Sequence, residues 1–235
     1  MSAEGVAGCH APTDRRQLTA AQERKLAAVL DVIATDPHAP TTIRDRALAD
    51  QLHVGDSLAA LALAEVSTAA DLADIGSGVG FPGIALAIAL PHARLRLVDS
   101  QRRRCEFLSR ICAAAGVSNA AVVCARAEEW VDGRDANDVV LARALAPQPV
   151  VLEYAAPLLR VGGRLVDWRG RREEDEEQRA ARAAVELAMR PVGVHRVRPV
   201  EAAQERHLHV FEKVDETPAR FPRRAGLARK RPLGA

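Results

Sequence analysis

Aromatic side chains are scarce: two Trp, one Tyr and four Phe make up 3% of 235 residues. That excludes an aromatic-rich interior, so the core must be built from Ala, Leu and Val. Cysteine is nearly as rare. Cys9, Cys105, Cys112 and Cys124 form no Cys-x-x-Cys pair, and no histidine stands at metal-ligand spacing from them. This excludes a cysteine-based metal centre, and no metal is expected. The four thiols read as small buried hydrophobes of a reducing compartment, with Cys105 and Cys112 on one helix face. No apolar run approaches the roughly 20 residues that span a bilayer. "GIALAIAL" is too short and lies between Pro82 and Pro91. The first twenty residues carry His10, Asp14, Arg15 and Arg16 without an apolar signal core, so a cytoplasmic protein without a secretion signal is expected. Internal repeats are also lacking.

What is present is an ample apolar content, 48% of the chain, and a charge balance of +2 that is unevenly spread. The length suits one α/β domain with appendages. Residues 217–235, "TPARFPRRAGLARKRPLGA", carry six basic side chains and no acid, whereas residues 1–216 hold 27 basic against 31 acidic residues. Pro218, Pro222 and Pro232 are expected to keep this tail extended. Such a tail suits a phosphate backbone, with Arg223, Arg224 and Lys230 as RNA contacts and Phe221 either stacked on a base or packed on the domain.

The spacing of Leu26, Val29, Leu30 and Ile33 predicts a helix capped by Thr19. A second helix is expected over about 43–51, and a third from Asp56 or Ser57 through "LAALALAEV". Strands and helices then alternate. Strand 71–75 leads to a glycine loop and helix 82–90, and strand 94–99 to helix 101–115. Strand 120–125 precedes a short helix near Glu128, and strand 138–143 precedes helix 147–159. Strand 164–169 is followed by an acidic amphipathic helix over about 173–189, and two strands close the chain. The pattern predicts a doubly wound, Rossmann-like, mostly parallel α/β sheet with an antiparallel edge strand. The expected division is an irregular segment 1–18, a helical extension 19–66, a core 67–216 and the basic tail 217–235.

"DIGSGVGFPG" places four glycines within residues 76–83. In an open parallel sheet this loop sits at the carboxyl edge, where ligands bind. Gly76 and Gly78 there allow close approach of a ligand to bare backbone. Asp99, at the end of the second strand, is placed to accept from both hydroxyls of a ribose. The ligand is therefore expected to contain a nucleoside. A dinucleotide fingerprint needs a third glycine where Phe81 stands. Asp74 before the first glycine would repel a pyrophosphate but suit the ammonium of S-adenosyl-L-methionine. The competing reading of Asp74 is a simple helix cap.

The segment after the fourth strand, "ANDVVLARALAPQP", lacks the D/N-P-P-Y/F signature for exocyclic amines and a Pro-Cys pair for pyrimidine carbon-5. It offers Arg143. Methyl transfer to a ring nitrogen that already has a free lone pair, such as nitrogen 7 of guanine, needs neither base nor nucleophile, only positioning and exclusion of water. Arg143 is thus a candidate catalytic residue. The alternative for it is a salt bridge to a nearby acid.

The stretch "DIGSGVGFPGIALAIALPHARLRLVDSQRRRCEFL" resembles the RsmG (GidB) family of small-subunit ribosomal RNA guanine-N7 methyltransferases. "RAEEW", "ARALAP", "ERHLHVFEK" and "TPARFPRRAGLARKRPL" match further along, so the likeness covers about residues 41–233. The resemblance implies S-adenosyl-L-methionine as cofactor and 16S rRNA or the small ribosomal subunit as partner. It implies cofactor contacts from Gly76, Phe81, Asp99, Ala127, Glu128 and Arg143, with Ala127 and Glu128 lining the adenine. It also implies RNA contacts from Arg169, Arg206 and His207. Ala39 and Leu52 depart from the family's usual asparagine and arginine. Two other readings stay open: a small-molecule methyltransferase, against which the basic tail counts, and a non-catalytic RNA-binding or assembly factor. A monomer is expected.

Overall fold

The computed structural model describes residues 18–197 and 206–234. Helix α1 (Ala20–Thr35) starts from a capping box: Gln22 N–H donates to Thr19 Oγ1 at 3.3 Å, and Thr19 N–H donates to Gln22 Oε1 at 2.8 Å. The second and third expected helices are not separated by a turn. Short α2 (Arg46–Ala49) runs through a wide π turn over Asp50–Gly55 into α3 (Asp56–Leu58) and a 3₁₀ turn, and the chain bends at Leu63 before α4 (Ala64–Ser67). The expected start at Asp56 is where α3 begins, but the chain enters it already helical from Gly55, and the Asp56 carboxylate is buried rather than capping a helix end.

Among the described residues seven strands follow: β1 (Asp71–Ile75), β2 (Arg94–Asp99), β3 (Ala120–Cys124), β4 (Asn137–Arg143), β5 (Leu159–Arg169), β6 (Met189–Val197) and β7 (Arg206–Lys213). Their order is β3-β2-β1-β4-β5-β7-β6. The first five are parallel, and β7 pairs antiparallel with both β5 and β6. The sheet therefore closes on two antiparallel strands, the later of which is inserted inside the earlier. β6 is the outer one and tolerates Pro191, as an edge strand does. β5 starts five residues before the expected strand, because the left-handed Gly162 lets "VGG" bulge within the strand instead of ending it.

Helices α5 (Gly83–Ala89), α6 (Arg102–Ala114), α7 (Gln148–Ala155), α8 (Glu174–Glu186) and α9 (Leu227–Lys230) complete the fold. Strand side chains alternate between two cores. Leu72, Leu97 and Leu141 pack with α1, α5 and α6, while Ile75, Val140 and Leu165 pack with α7, α8 and the C-terminal segment. Each fully buried side chain of this size contributes about 1.5–3 kcal/mol. Cys105 and Cys112 are buried, and burial pushes their thiols up to about 12 and about 11. Cys124 is exposed at the end of β3, and Cys9 lies outside the described residues. The switch point of strand order falls between β1 and β4, which fixes where a ligand site is expected.

Candidate active site

The loop after β1 is shaped by two carboxylates. Asp99 is 3% exposed. Its Oδ2 accepts from Gly78 N–H at 3.0 Å and its Oδ1 from Gln101 N–H at 2.8 Å, which locks the glycine loop against the end of β2. Arg104 Nη1 stands 3.5 Å from Oδ2. Asp74 is 1% exposed and accepts from Gly83 N–H at 3.1 Å. Burial pushes its carboxyl up to about 7. Gly83 is required for this contact, since a Cβ there would stand 2.7 Å from Asp74 Oδ2 and 2.4 Å from Leu97 Cδ2. Asp74 thus holds the start of α5, as in the capping alternative, and does not itself line the cavity.

A cavity of about 360 Å³ opens at the ends of β1, β2 and β3. Gly76, Asp99, Ala127 and Glu128 line it, as expected of cofactor contacts, together with Ala144, Leu145, Tyr154 and Arg229. Gly76 is left-handed with φ +72°, and a Cβ on it would lie 2.5 Å from Leu145 Cδ1. Ala144 also has a left-handed backbone, φ +53°, where β4 turns into the cavity wall. That conformation costs about 1–2 kcal/mol for a non-glycine residue. The donor and acceptor set fits an adenosyl group: a ribose-directed acid, bare backbone beside it, and both an acid and a cation beyond it.

Behind this wall lies a charged lattice. Arg143 Nη1 donates to Asp56 Oδ2 at 3.1 Å and to Leu52 O at 3.4 Å, while Nη2 meets His53 Nδ1 at 3.3 Å. Arg206 Nε lies 3.2 Å from Asp56 Oδ1, an ion pair without hydrogen-bond alignment. Trp168 Nε1 donates to the Asp56 carbonyl at 3.0 Å. Asp56 is 1% exposed and bridges two arginines. Burial lowers the Arg143 guanidinium, with Asp56 opposing that shift. Burial, then the charge of Arg143, holds His53 down to about 4. The imidazole is therefore neutral, accepts from Arg143 at Nδ1 and is left to donate from Nε2 to Thr41 Oγ1, 3.4 Å away. Its ring stacks on Phe81, centroids 5.1 Å apart. Phe81 is buried in this stack rather than lining the cavity. The alternative reading of Arg143, an ion pair, is thus realised, and its acid comes from the helical extension.

The expected RNA contacts divide. Arg169 is held by Asp167 at 2.7 Å, by Glu176 and by the Ala146 carbonyl. His207 is buried with Nδ1 2.8 Å from Gly170 O. Arg223 grips the buried Glu153, Nε to Oε1 at 2.8 Å. These three, with Arg206, are tied to groups of the fold. Arg224 and Lys230 are exposed. Nor is the tail an extended arm: Phe221 is 7% exposed in the core beside α7, and α9 follows. Sequence reasoning missed Asp56, Trp168, Tyr154 and Arg229. One signal was available for Asp56, an acid embedded in the apolar run "HVGDSLAALAL".

Among the described residues there is no cluster of three or more metal-ligating side chains, and no helix is long and apolar enough to cross a membrane. Residues 38–208 match the family model described as rRNA small subunit methyltransferase G. Curated relatives carrying the name ribosomal RNA small subunit methyltransferase G include one from Synechococcus elongatus, 39% identical over 83% of this chain and 82% of the relative. One from Rubrobacter xylanophilus is 43% identical over 77% and 72%, and one from Thermotoga neapolitana 34% identical over 90% and 92%. Among solved structures, a 16S rRNA (adenine(1408)-N(1))-methyltransferase from Catenulisporales acidiphilia superposes with a TM-score of 0.53 at 16% identity, covering 65% of this chain and 89% of that one. M. jannaschii TYW2 in complex with AdoMet gives 0.51 at 15% identity, covering 64% and 73%. At these identities the likeness concerns the fold.

Proposed function

The chain belongs to the rRNA small subunit methyltransferase G family, and on that premise we propose that it methylates nitrogen 7 of a guanine in 16S rRNA with S-adenosyl-L-methionine. The observation that carries this reading is the cavity at the switch point, with buried Asp99 beside the bare backbone of Gly76. When bound, the cofactor supplies a methyl carbon on a sulfonium, which a ring nitrogen with a free lone pair takes without a general base. The chain's own residues bind and orient. Gly76, Gly78 and Asp99 hold the ribose end, and Ala127 and Glu128 the adenine. Arg143 stays protonated and carries no proton between groups. Its role in this reading is positional, fixed by Asp56 and flanked by the flat His53–Phe81 stack. Arg224 and Lys230 serve phosphates. In this proposal the protein acts as a monomer in the cytoplasm, on the small subunit or its RNA.

The test is transfer of labelled methyl groups from S-adenosyl-L-methionine to small-subunit RNA, 30S particles, large-subunit RNA and small-molecule acceptors. Label in small-subunit RNA is expected. Label only in small molecules, or cofactor binding without transfer to any RNA, would refute the proposal.

A further inference from the structure

The C-terminal segment returns across the face of the sheet that carries α7 and α8. Phe221 and Ala228 are buried there. Gly234 lies so close to α8 that a Cβ on it would stand 2.1 Å from the Arg179 carbonyl oxygen, and that segment is held as Arg182 Nε donates to Gly234 O at 3.0 Å. Arg223 fastens the segment to α7 through Glu153, which is 1% exposed, and reaches Arg231 O at 2.8 Å. Two further contacts bring it to the candidate cofactor cavity. Gly226 N–H donates to Glu128 Oε1 at 3.2 Å. Arg229 Nη2 donates to the Leu145 carbonyl at 3.0 Å. Arg229 lines the cavity together with Glu128, Leu145 and Tyr154.

We propose that residues 217–234 form a wall of the cofactor cavity, and that Arg229 contacts the adenosyl part of the bound cofactor. The inference rests on the reading of that cavity as the cofactor site. The chemistry of its far end is complementary to a purine. Glu128 offers an acceptor for an exocyclic amine, and the planar guanidinium of Arg229 offers donors for ring nitrogens or a flat face for stacking. Tail arginines thus divide by duty. Arg223 is tied to Glu153, and Arg229, although exposed, is tied to the Leu145 carbonyl and lines the cavity, whereas Arg220, Arg224, Lys230 and Arg231 are exposed and do not line it.

Deleting the segment would leave buried Glu153 without its cation, so single substitutions give the cleaner test. Arg229 is exposed on its outer side, and its replacement should leave the melting temperature unchanged. Calorimetry with S-adenosylhomocysteine and S-adenosyl-L-methionine is expected to show about tenfold weaker binding for Arg229→Ala, the loss of one charge-assisted contact. Arg229→Lys should recover part of it. The affinity of Arg229→Ala for small-subunit RNA and the salt dependence of that affinity should stay at parental values. Parental cofactor affinity in Arg229→Ala, with weakened RNA binding, would overturn the inference alone. Absence of cofactor binding by the unaltered chain would instead overturn the reading of the cavity itself, and this inference with it.

Discussion

At the β1–β2–β3 side of the sheet, the loop-shaping contacts join residues close in sequence. Gly78 reaches Asp99 across 21 positions, and Gly83 reaches Asp74 across nine. At the β4–β5–β7 side the contacts are remote: Arg143 meets Asp56 across 87 positions and His53 across 90, and Trp168 meets Asp56 across 112. The first side is bare backbone braced by carboxylates. The second is a lattice of buried charge that exists only once the helical extension has docked. On the proposed function, this difference assigns ligand binding and substrate positioning to different structures, so that each should break without the other.

The most damaging single change should be Asp56→Ala. It leaves Arg143, and in part Arg206, as buried cations without their acid, and breaking such a pair costs about 3–5 kcal/mol. Denaturant titration should show that loss. The milder Asp56→Asn should keep cofactor affinity near parental while cutting turnover. Equal losses in binding and turnover would mean that the two sides are not separable.

Gly83→Ala comes next. Its Cβ would collide with Leu97 and Asp74, and overpacking of this kind costs about 1–3 kcal/mol. Since the collision displaces Asp74 from the start of α5, both stability and cofactor affinity should fall. An unchanged melting temperature and dissociation constant would show that the loop has room the structure does not provide.

Asp99→Ala should weaken cofactor binding at least tenfold, since hydrogen bonds to a charged group contribute about 1.5–3 kcal/mol each. It also releases Gly78 from its brace. Calorimetry giving parental affinity would remove Asp99 from the site.

His53 allows a test by pH. Its folded value near 4 lies below the ordinary 6.5, so between those values the unfolded chain binds the extra proton. Its contribution to stability is present above pH 6.5 and is lost as pH falls toward 4. Asp74, raised to about 7, acts in the opposite sense over the same window, gaining stability as pH falls. His53→Gln should therefore lose less stability than the parent between pH 6.5 and 4.5, by on the order of 1–2 kcal/mol. Parallel stability curves would place a charged or solvated imidazole there. The smallest effect belongs to the outside of the tail. Removing both Arg224 and Lys230 should lower the salt slope of RNA binding by about 1.4, at roughly 0.7 per phosphate, with cofactor affinity intact.

The same contrast explains what was legible in the sequence. β1 and β2 were readable to the residue, because short segments with alternating or clustered apolar residues stand between turn signals and the glycines between them have a local cause. The glycine loop and Asp99 pointed to the carboxyl edge of the sheet, where Gly76 and Asp99 line one cavity; Ala127 and Glu128, which join them there, came from the family resemblance. The lattice was not readable, because no spacing rule ties position 56 to position 143. Asp56 read only as the start of a helix, and an acid beside an apolar run was the one hint of another role. Charge counting treated the tail's six basic residues alike, although Glu153, an acid within the apolar helix α7, claims Arg223. Where an arginine points depends on its partner acid, and that acid lies on another element.

The central claim is that these two sides together direct a methyl group to one ring nitrogen of small-subunit RNA. Its most direct test is mass spectrometry of nucleosides from 16S rRNA, within 30S particles lacking the modification, after incubation with the chain and S-adenosyl-L-methionine. The account predicts 7-methylguanosine at a single position, formed by the parent and sharply reduced with Asp56→Asn. A different methylated nucleoside, or 7-methylguanosine formed at the parental rate by Asp56→Asn, would contradict it.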